Sequence, residues 1–268
     1  MGFFEAIVIA IVEGITEFLP VSSTGHMALT ASVLGIEKDI FTKLFIENIQ
    51  FGTIISVIVL YWKKFIDFRH FSFYLKLFVA FIPAAIIGIL FKKHIDQVLE
   101  SPMFIAVVMF AGGVLLLFVD SWFKNPTLKS DEGLTYKSSL IIGLFQILSV
   151  LFPGLSRSAA TIVGGMQQKM TRQAAAEFSF FLAVPTLAGA FAKSLWDTFK
   201  DNPQVLTSSN INLLIVGNVV GFLVAMVAIK FFISFLTKHG FRLFGWYRIV
   251  VGLAIICLLM FGYNLSVV

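Results

Sequence analysis

The chain has 268 residues, of which 58% are hydrophobic and 13% charged, and its mean hydropathy is +0.93. Soluble domains carry about 25% charged residues, so this composition excludes an ordinary soluble enzyme and indicates an integral membrane protein. The net charge of +5 lies mostly between apolar segments, a pattern that favours anionic lipid headgroups over nucleic acid as the partner.

Six apolar stretches are long enough to cross a bilayer, since a spanning helix needs roughly 20 apolar residues. They are 43–62, 74–92, 103–123, 173–197, 211–234 and 243–264. Two further apolar regions, 3–35 and 138–168, are broken at Pro20 and at Pro153–Gly154. A proline ends a short helix because it pushes the preceding residue out of the α region, and the serines that follow can cap a second helix. We therefore expect two re-entrant hairpins, each of which enters and leaves the membrane on the same side.

The two halves of the chain are weakly similar. Alignment of the two prolines pairs Glu13 with Gln146 and Ser23 with Ser156. Each hairpin stays on its own side and is followed by three spans, so the second half starts on the opposite face and is inverted. Inverted repeats with broken helices have their binding site near the midplane, where the halves meet.

The predicted fold is therefore all-α and polytopic, with one integral-membrane domain over 1–268 and inverted repeats at approximately 1–125 and 136–268. Lys and Arg are divided unequally between the two faces. One face carries Lys63, Lys64, Arg69, Lys76, Lys124, Lys129, Lys137, Lys169, Arg172, Lys230, Lys238 and Arg242. The other carries Lys38, Lys43, Lys92, Lys93, Lys193 and Lys200. The positive-inside rule makes the richer face cytoplasmic, so the first hairpin lies on the outer side.

Glu13 and Glu17 lie four residues apart and share one face of the first helix. Like charges repel, and burial raises the cost of both. A hard divalent cation such as Mg²⁺, which binds one or two carboxylates together with phosphate oxygens, would compensate. A proton on one acid would also compensate and would make that group a general acid or base. The alternative is a pair of acids facing water at a helix end.

The stretch PVSSTGH has Ser22, Ser23, Thr24 and Gly25 at the start of a helix. Hydroxyls and unpaired N–H groups at a helix N-terminus bind anions, and glycine permits close approach of a ligand to the backbone. His26 follows Ser23 by three residues, so the two can face one cavity as nucleophile and base. The alternative is an ordinary N-cap with a histidine near the interface.

The second broken region contains Arg157, flanked by Ser156 and Ser158 and followed by Thr161. A guanidinium in a bilayer is costly unless it is paired or hydrated, and its planar fork suits phosphate or carboxylate. A structural arginine bound to carbonyls or to Glu177 is the alternative.

Acids on one hairpin and an arginine with hydroxyls on the other together indicate a site for a metal-bound phosphate. Phosphoryl transfer depends on positioning and charge stabilisation, and a site at membrane depth implies a substrate with a lipid tail. Four further polar residues are candidates for the cavity lining: Glu47, Gln50, Glu177 and Ser179.

The stretches EGITEFLPVSSTGH and PGLSRSAAT resemble the two signature motifs of the bacterial undecaprenyl-pyrophosphate phosphatases, also called bacitracin-resistance proteins. The stretches IENIQFGTI and AAEFSFFLAVP extend the resemblance over nearly the whole chain. The resemblance implies hydrolysis of a lipid carrier diphosphate to its monophosphate and inorganic phosphate, which recycles the carrier for cell-wall synthesis. It also implies dependence on a divalent ion and a site reached from the outer face of the bacterial cell membrane.

By motif position, the resemblance implies essential glutamates at Glu13 and Glu17, a serine and a histidine at Ser23 and His26, and an arginine at Arg157. We expect Mg²⁺ or Ca²⁺ at the two glutamates and Arg157 against the charge that develops on the terminal phosphoryl group. Ser23 is the expected nucleophile, with His26 or Glu17 taking its proton. His26 itself and a metal-bound water are the alternative nucleophiles.

The main alternative function is a secondary transporter or flippase for a lipid phosphate, because such proteins also use inverted repeats and broken helices. The expected partners are the polyprenyl diphosphate substrate and membrane lipids. The sequence is compatible with a monomer and with a homodimer.

Overall fold

The computed structural model describes residues 1–68, 71–263 and 265. This part of the chain is all-helical, apart from a single isolated β-bridge between Leu128 and Met170. Arg69, one of the positive charges counted above, lies outside the described residues.

The helices of the described residues are numbered in chain order. They are α1 Phe3–Thr16, α2 Ser23–Val33, α3 Ile40–Leu60, α4 Trp62–Ile66, α5 Phe71–Leu90, α6 Lys92–Leu99, α7 Pro102–Trp122, α8 Tyr136–Leu151, α9 Arg157–Gln167, α10 Arg172–Asp201, α11 Ser208–His239 and α12 Arg242–Met260. Six of them, α3, α5, α7, α10, α11 and α12, are long and apolar enough to cross a membrane. The six predicted spans are confirmed, and their bounds differ by only a few residues. The protein is therefore a multi-pass membrane protein.

The two broken apolar regions form helix–turn–helix units, as predicted. We call α1–α2 the first hairpin and α8–α9 the second hairpin. The first helix of each unit ends shortly before its proline, at Thr16 and at Leu151. The second helices, α2 and α9, have 11 residues each. At 1.5 Å per residue such a helix is about 16 Å long, roughly half the thickness of the hydrocarbon core.

Both turns end at a serine with left-handed backbone, Ser22 at φ 72° and Ser156 at φ 75°. A non-glycine residue in this region is strained, and here each serine caps the helix that follows. The Ser22 hydroxyl accepts from the Gly25 N–H at 3.4 Å, and the Ser156 hydroxyl accepts from the Ala159 N–H at 3.3 Å. After the two prolines the predicted alignment is therefore off by one residue, because Ser22 rather than Ser23 is the structural counterpart of Ser156.

Each hairpin packs on a spanning helix of the opposite half, α1 on α11 and α8 on α5. Two glycines allow the close approach. A Cβ on Gly14 of α1 would lie 2.8 Å from the Cβ of Val224, and a Cβ on Gly143 of α8 would overlap the carbonyl oxygen of Ala80. The spanning helices surround these contacts, with α7 packed on α12 and α3 on both α10 and α11. The two polar turns are thereby enclosed by the helix bundle.

Candidate active site

A cavity of about 280 Å³ opens beside the first hairpin. The residues that line it are Glu13, Ser23, Thr24, Met27, Ala28, Lys43, Ile46, Glu47, Gln50, Leu99, Pro102, Ile105 and Leu265. The lining combines carboxylates and hydroxyls with apolar side chains, which is a typical composition for a site that binds an amphiphilic molecule.

Glu13 in α1 is completely buried, and both of its carboxylate oxygens are without a hydrogen-bond partner among the described residues. A buried carboxylate without partners is costly, so a cation or a proton is needed to stabilise it. No group of three or more His, Cys, Asp or Glu side chains within the described ranges could hold a metal ion. The unpartnered carboxylate of Glu13 is the type of oxygen ligand that Mg²⁺ uses in sites where water and phosphate oxygens supply the other ligands.

Glu17 connects the two hairpins. One of its oxygens accepts a hydrogen bond from an Arg157 terminal nitrogen at 3.0 Å, and the other accepts from the Ser23 hydroxyl at 2.8 Å. Ser23 and Arg157 are the first residues of α2 and α9, so the two equivalent helix starts meet at one carboxylate. Ser23 and Arg157, predicted from distant parts of the sequence, thus both contact Glu17.

Arg157 is held on three sides and has one buried donor left over. Its second terminal nitrogen donates to the Ser179 carbonyl at 3.1 Å, and the guanidinium carbon lies 6.0 Å from the Phe18 ring centroid. The Nε–H is buried without a partner in the described part of the chain. An unpaired guanidinium donor suits an anion. Arg157 is not among the residues that line the cavity, and it is connected to the cavity wall through Glu17 and Ser23. The alternative of a structural arginine is met in part, because Arg157 binds the Ser179 carbonyl and a buried acid. That acid is Glu17, and Glu177 is hydrogen-bonded to Gln173 instead.

The hydroxyls around Arg157 form hydrogen bonds to other groups of the protein, whereas the sequence predicted that they bind the phosphate of the substrate. Ser158 donates to the Leu19 carbonyl at 2.8 Å and lies 2.9 Å from the Ser156 hydroxyl. The hydroxyls of Thr161 and Ser179 lie 2.6 Å apart. Ser158 and Thr161 are 0% and 1% exposed, so these bonds replace water and join the second hairpin to the first hairpin and to α10.

Of the four residues of the first turn that were predicted to bind an anion, only two face the cavity. Ser23 and Thr24 line the cavity. The Ser22 hydroxyl is used by the helix cap, and Gly25 is buried against Met109, whose sulfur would lie 3.1 Å from a Cβ at this position.

His26 is directed toward α12, away from Ser23. Its Nδ1 lies 2.8 Å from the Ser22 carbonyl, and its Nε2 lies 2.6 Å from the Tyr247 hydroxyl. A carbonyl only accepts, so in the neutral ring Nδ1 carries the proton and Nε2 accepts from tyrosine. The predicted pairing of Ser23 with His26 is therefore corrected, because the base in hydrogen-bond contact with Ser23 is Glu17.

The cavity-lining candidates fall into two groups. Glu47 and Gln50 line the cavity, as predicted. Glu177 instead accepts a hydrogen bond from Gln173 at 2.9 Å, and Ser179 contacts Arg157 from α10. Two residues along a helix differ by about 200° in direction, so Glu177 and Ser179 lie on different faces of α10.

Sequence reasoning gave no role to Tyr247 and Arg248, two residues of α12 that contact the turns. The available signal was an arginine inside an apolar span, which is a candidate functional residue wherever it occurs.

Comparisons with known proteins identify the same family over nearly the full length of the chain. The family described as bacitracin resistance protein BacA matches residues 6–254. An undecaprenyl-diphosphatase of Flavobacterium psychrophilum is 53% identical, with 100% of both chains covered. A protein of the same name from Porphyromonas gingivalis is 48% identical, again with 100% of both chains covered. A third, from Enterococcus faecalis, is 41% identical over 94% of this chain and 95% of the relative. The chain therefore belongs to the bacitracin resistance protein BacA family.

Proposed function

We propose that this membrane protein is an undecaprenyl-diphosphate phosphatase, which hydrolyses undecaprenyl pyrophosphate to undecaprenyl phosphate and inorganic phosphate. The observation that carries the proposal is the meeting of Ser23 and Arg157 at Glu17. The full-length relatives named above are undecaprenyl-diphosphatases, and their name supplies the substrate. The reaction recycles the lipid carrier for peptidoglycan synthesis and removes the target of bacitracin.

The cavity lining supports the substrate class. Ser23 and Thr24 present hydroxyls to a phosphate group, while Met27, Ile46 and Ile105 offer an apolar surface to the first part of a polyprenyl tail. The diphosphate would thus lie against the first turn, beside Ser23, which is linked through Glu17 to Arg157.

In the proposed reaction, the Ser23 oxygen attacks the terminal phosphorus while Glu17 accepts the hydroxyl proton. Undecaprenyl phosphate leaves with the electrons of the broken P–O bond, and Arg157 stabilises the charge on the transferred group. Glu17 passes the serine proton to the departing undecaprenyl phosphate and is again a base. Water then attacks the phosphorus of phosphoserine while Glu17 takes a proton from that water. The bond between phosphorus and the Ser23 oxygen breaks, Glu17 returns the proton to that oxygen, and inorganic phosphate is released. The hydrogen bond between Ser23 and Glu17 supports this choice of base.

Glu13 and Glu17 would hold a divalent cation, Mg²⁺ or Ca²⁺. When bound, the ion would supply charge neutralisation for the diphosphate. The two unpartnered oxygens of Glu13 support this assignment.

The nucleophile can be tested by trapping. Enzyme mixed with radiolabelled diphosphate lipid and quenched within milliseconds should carry phosphoserine at Ser23. A trapped phosphohistidine would reject Ser23 in favour of His26. His26 is the less favoured nucleophile because Tyr247 occupies its Nε2.

The proposed topology has two re-entrant hairpins in inverted repeats of approximately 1–125 and 136–268 within one domain. The amino-terminal ammonium of Met1 bonds to Asp39 at 2.7 Å, so the start of α1 and the segment after α2 lie at the same end of the first hairpin. The packing of α1 on α11 matches that of α8 on α5, which supports a two-fold relation between the halves.

The site is proposed to open to the outer face of the bacterial plasma membrane. Lys43, from the face with fewer positive charges, lines the cavity. Lys64 and Lys76, from the richer face, both bind the segment that contains Asp131, at 2.8 Å to its carboxylate and 2.9 Å to its carbonyl. The positive-inside rule makes that second face cytoplasmic.

One assay separates this function from lipid-phosphate transport. Purified protein in detergent, given undecaprenyl pyrophosphate, should release inorganic phosphate, and a chelator should stop the release until Mg²⁺ or Ca²⁺ is restored. A transporter would release none, because a micelle has no second compartment. Absence of release in detergent, combined with passage of lipid phosphate across vesicles, would contradict the proposal.

A further inference from the structure

Arg248 lies in the first half of α12 and is completely buried. Its Nε donates to the carbonyl of Met109 in α7 at 3.2 Å. One terminal nitrogen donates to the carbonyls of Pro20 at 3.2 Å and Leu155 at 2.7 Å, and the other donates to Gly154 at 2.9 Å. The guanidinium thus bonds to α7 and to both hairpin turns.

The carbonyls that Arg248 binds in the two turns are close in sequence to Glu17 and Arg157. Pro20 follows Glu17 by three residues, and Leu155 precedes Arg157 by two. Turn carbonyls at membrane depth need partners inside the protein, because lipid supplies none. A single nitrogen of Arg248 therefore bridges one carbonyl from each turn.

Two glycines of α7 make room for this side chain. A Cβ on Gly112 would overlap a terminal nitrogen of Arg248, and a Cβ on Gly113 would lie 2.9 Å from the Arg248 Cβ. Within the described residues, the hydrogen bonds of Arg248 all go to carbonyl oxygens, and no carboxylate pairs with it. An unpaired buried guanidinium costs several kcal/mol, so its role lies in the carbonyls that it joins.

We propose that Arg248 is a positioning residue of the phosphatase site, which holds the two turns in the register that brings Ser23 and Arg157 to Glu17. The expected change in the rate of phosphate release rests on the proposed function. The expected loosening of the two turns does not depend on it. A misplacement of about 1 Å can cost about 10²-fold in rate, which sets the expected size of the effect.

The test compares Arg248→Met and Arg248→Lys with Arg242→Met, a control that removes an exposed arginine from the same helix. Methionine fills the space without donating. For Arg248→Met we expect kcat of phosphate release to fall about 100-fold with KM changed less than about threefold, since the cavity walls are intact. The Arg242→Met variant should behave as wild type.

The second readout is hydrogen exchange of the intact protein in detergent, followed by mass spectrometry. Peptides that cover 17–22 and 152–156 should exchange faster in the Arg248 variants, while peptides from α7 and α12 keep their wild-type rates. If wild-type enzyme released no phosphate, the proposed function would fail, and the exchange comparison would still decide whether Arg248 positions the turns.

If Arg248→Met aggregates, the Arg248→Lys variant tests whether Arg248 positions the two turns. Lysine keeps the charge but lacks the planar fork, so it cannot bond to both turns in the same way. We expect about a tenfold lower kcat and faster exchange confined to the two turns. Wild-type kcat and exchange in Arg248→Lys would overturn the proposal. Faster exchange spread evenly over α7, α12 and the turns would also overturn it, because Arg248 would then serve only the packing of the bundle.

Discussion

The first hairpin, α1–α2, and the second, α8–α9, share one backbone design and carry different side chains. Each has a second helix of 11 residues that begins after a serine cap with left-handed backbone. The first residue of that helix is Ser23 in one case and Arg157 in the other, and both bind Glu17. The backbone thus determines where a group is placed, and the residue type determines what the group does there.

The hairpins differ most at the position of the buried acid. Glu13 of the first hairpin has no hydrogen-bond partner among the described residues. Gln146, its predicted counterpart in the second hairpin, is also fully buried but donates to the Thr186 hydroxyl at 3.3 Å. A satisfied neutral amide needs no ligand, whereas an unpaired carboxylate does. If the proposed cation site exists, this difference places it in the first hairpin and not in the second.

The largest effect is expected from Glu17→Gln, which removes the group shared by the two hairpins. Loss of the base for Ser23 and of the charge opposite Arg157 should lower kcat by about 10³-fold or more, as measured by phosphate release in detergent. The control is Glu177→Gln, which changes an acid outside the cavity and should retain wild-type activity. More than a tenth of wild-type turnover in Glu17→Gln would refute the shared role.

Arg157→Lys tests the contribution of the second hairpin. Lysine preserves the charge but lacks the planar fork whose two terminal nitrogens bind Glu17 and the Ser179 carbonyl, so activity should fall about 10²-fold with folding retained. Arg172→Lys is the matched control, because Arg172 pairs with Asp120 at 2.8 Å away from the cavity. Near-normal turnover of Arg157→Lys would argue against the forked contact.

Glu13→Gln makes the first hairpin resemble the second at this position. The variant should need about 10-fold to 100-fold more Mg²⁺ for half-maximal activity. Its thermal stability without metal should be unchanged or higher, because an uncompensated buried charge has been removed. Metal titrations and thermal unfolding in detergent measure the two effects. An unchanged metal titration would remove Glu13 from the cation site.

The smallest effect is expected from Tyr247→Phe, which removes the hydrogen bond to His26 Nε2. Loss of one such bond costs about 1 kcal/mol of stability, and we expect kcat to change less than about threefold. Tyr263→Phe, at an exposed position, is the control. A loss of kcat as large as that of Arg157→Lys would show that His26 takes part in the chemical step.

Much of the architecture was predictable from the sequence alone. The apolar medium forces each crossing segment to be a helix of sufficient length, so the six spans follow from counting apolar residues. The breaks at Pro20 and Pro153 follow from the local geometry of proline. The sequence also predicts that Glu17 and Arg157 meet in one pocket around a metal-bound phosphate. In the structure they are close, but they contact each other directly at 3.0 Å, which the sequence did not indicate.

The choice of partner for each polar group was decided by the tertiary structure. Local spacing permits Ser23 to face His26, but packing directs Ser23 to Glu17 and His26 to Tyr247. The carbonyls that Arg248 joins come from segments far apart along the chain, and no local pattern encodes their meeting. Hydrogen-bond partners inside a bundle depend on which helix faces lie together, and that is a property of the packed fold.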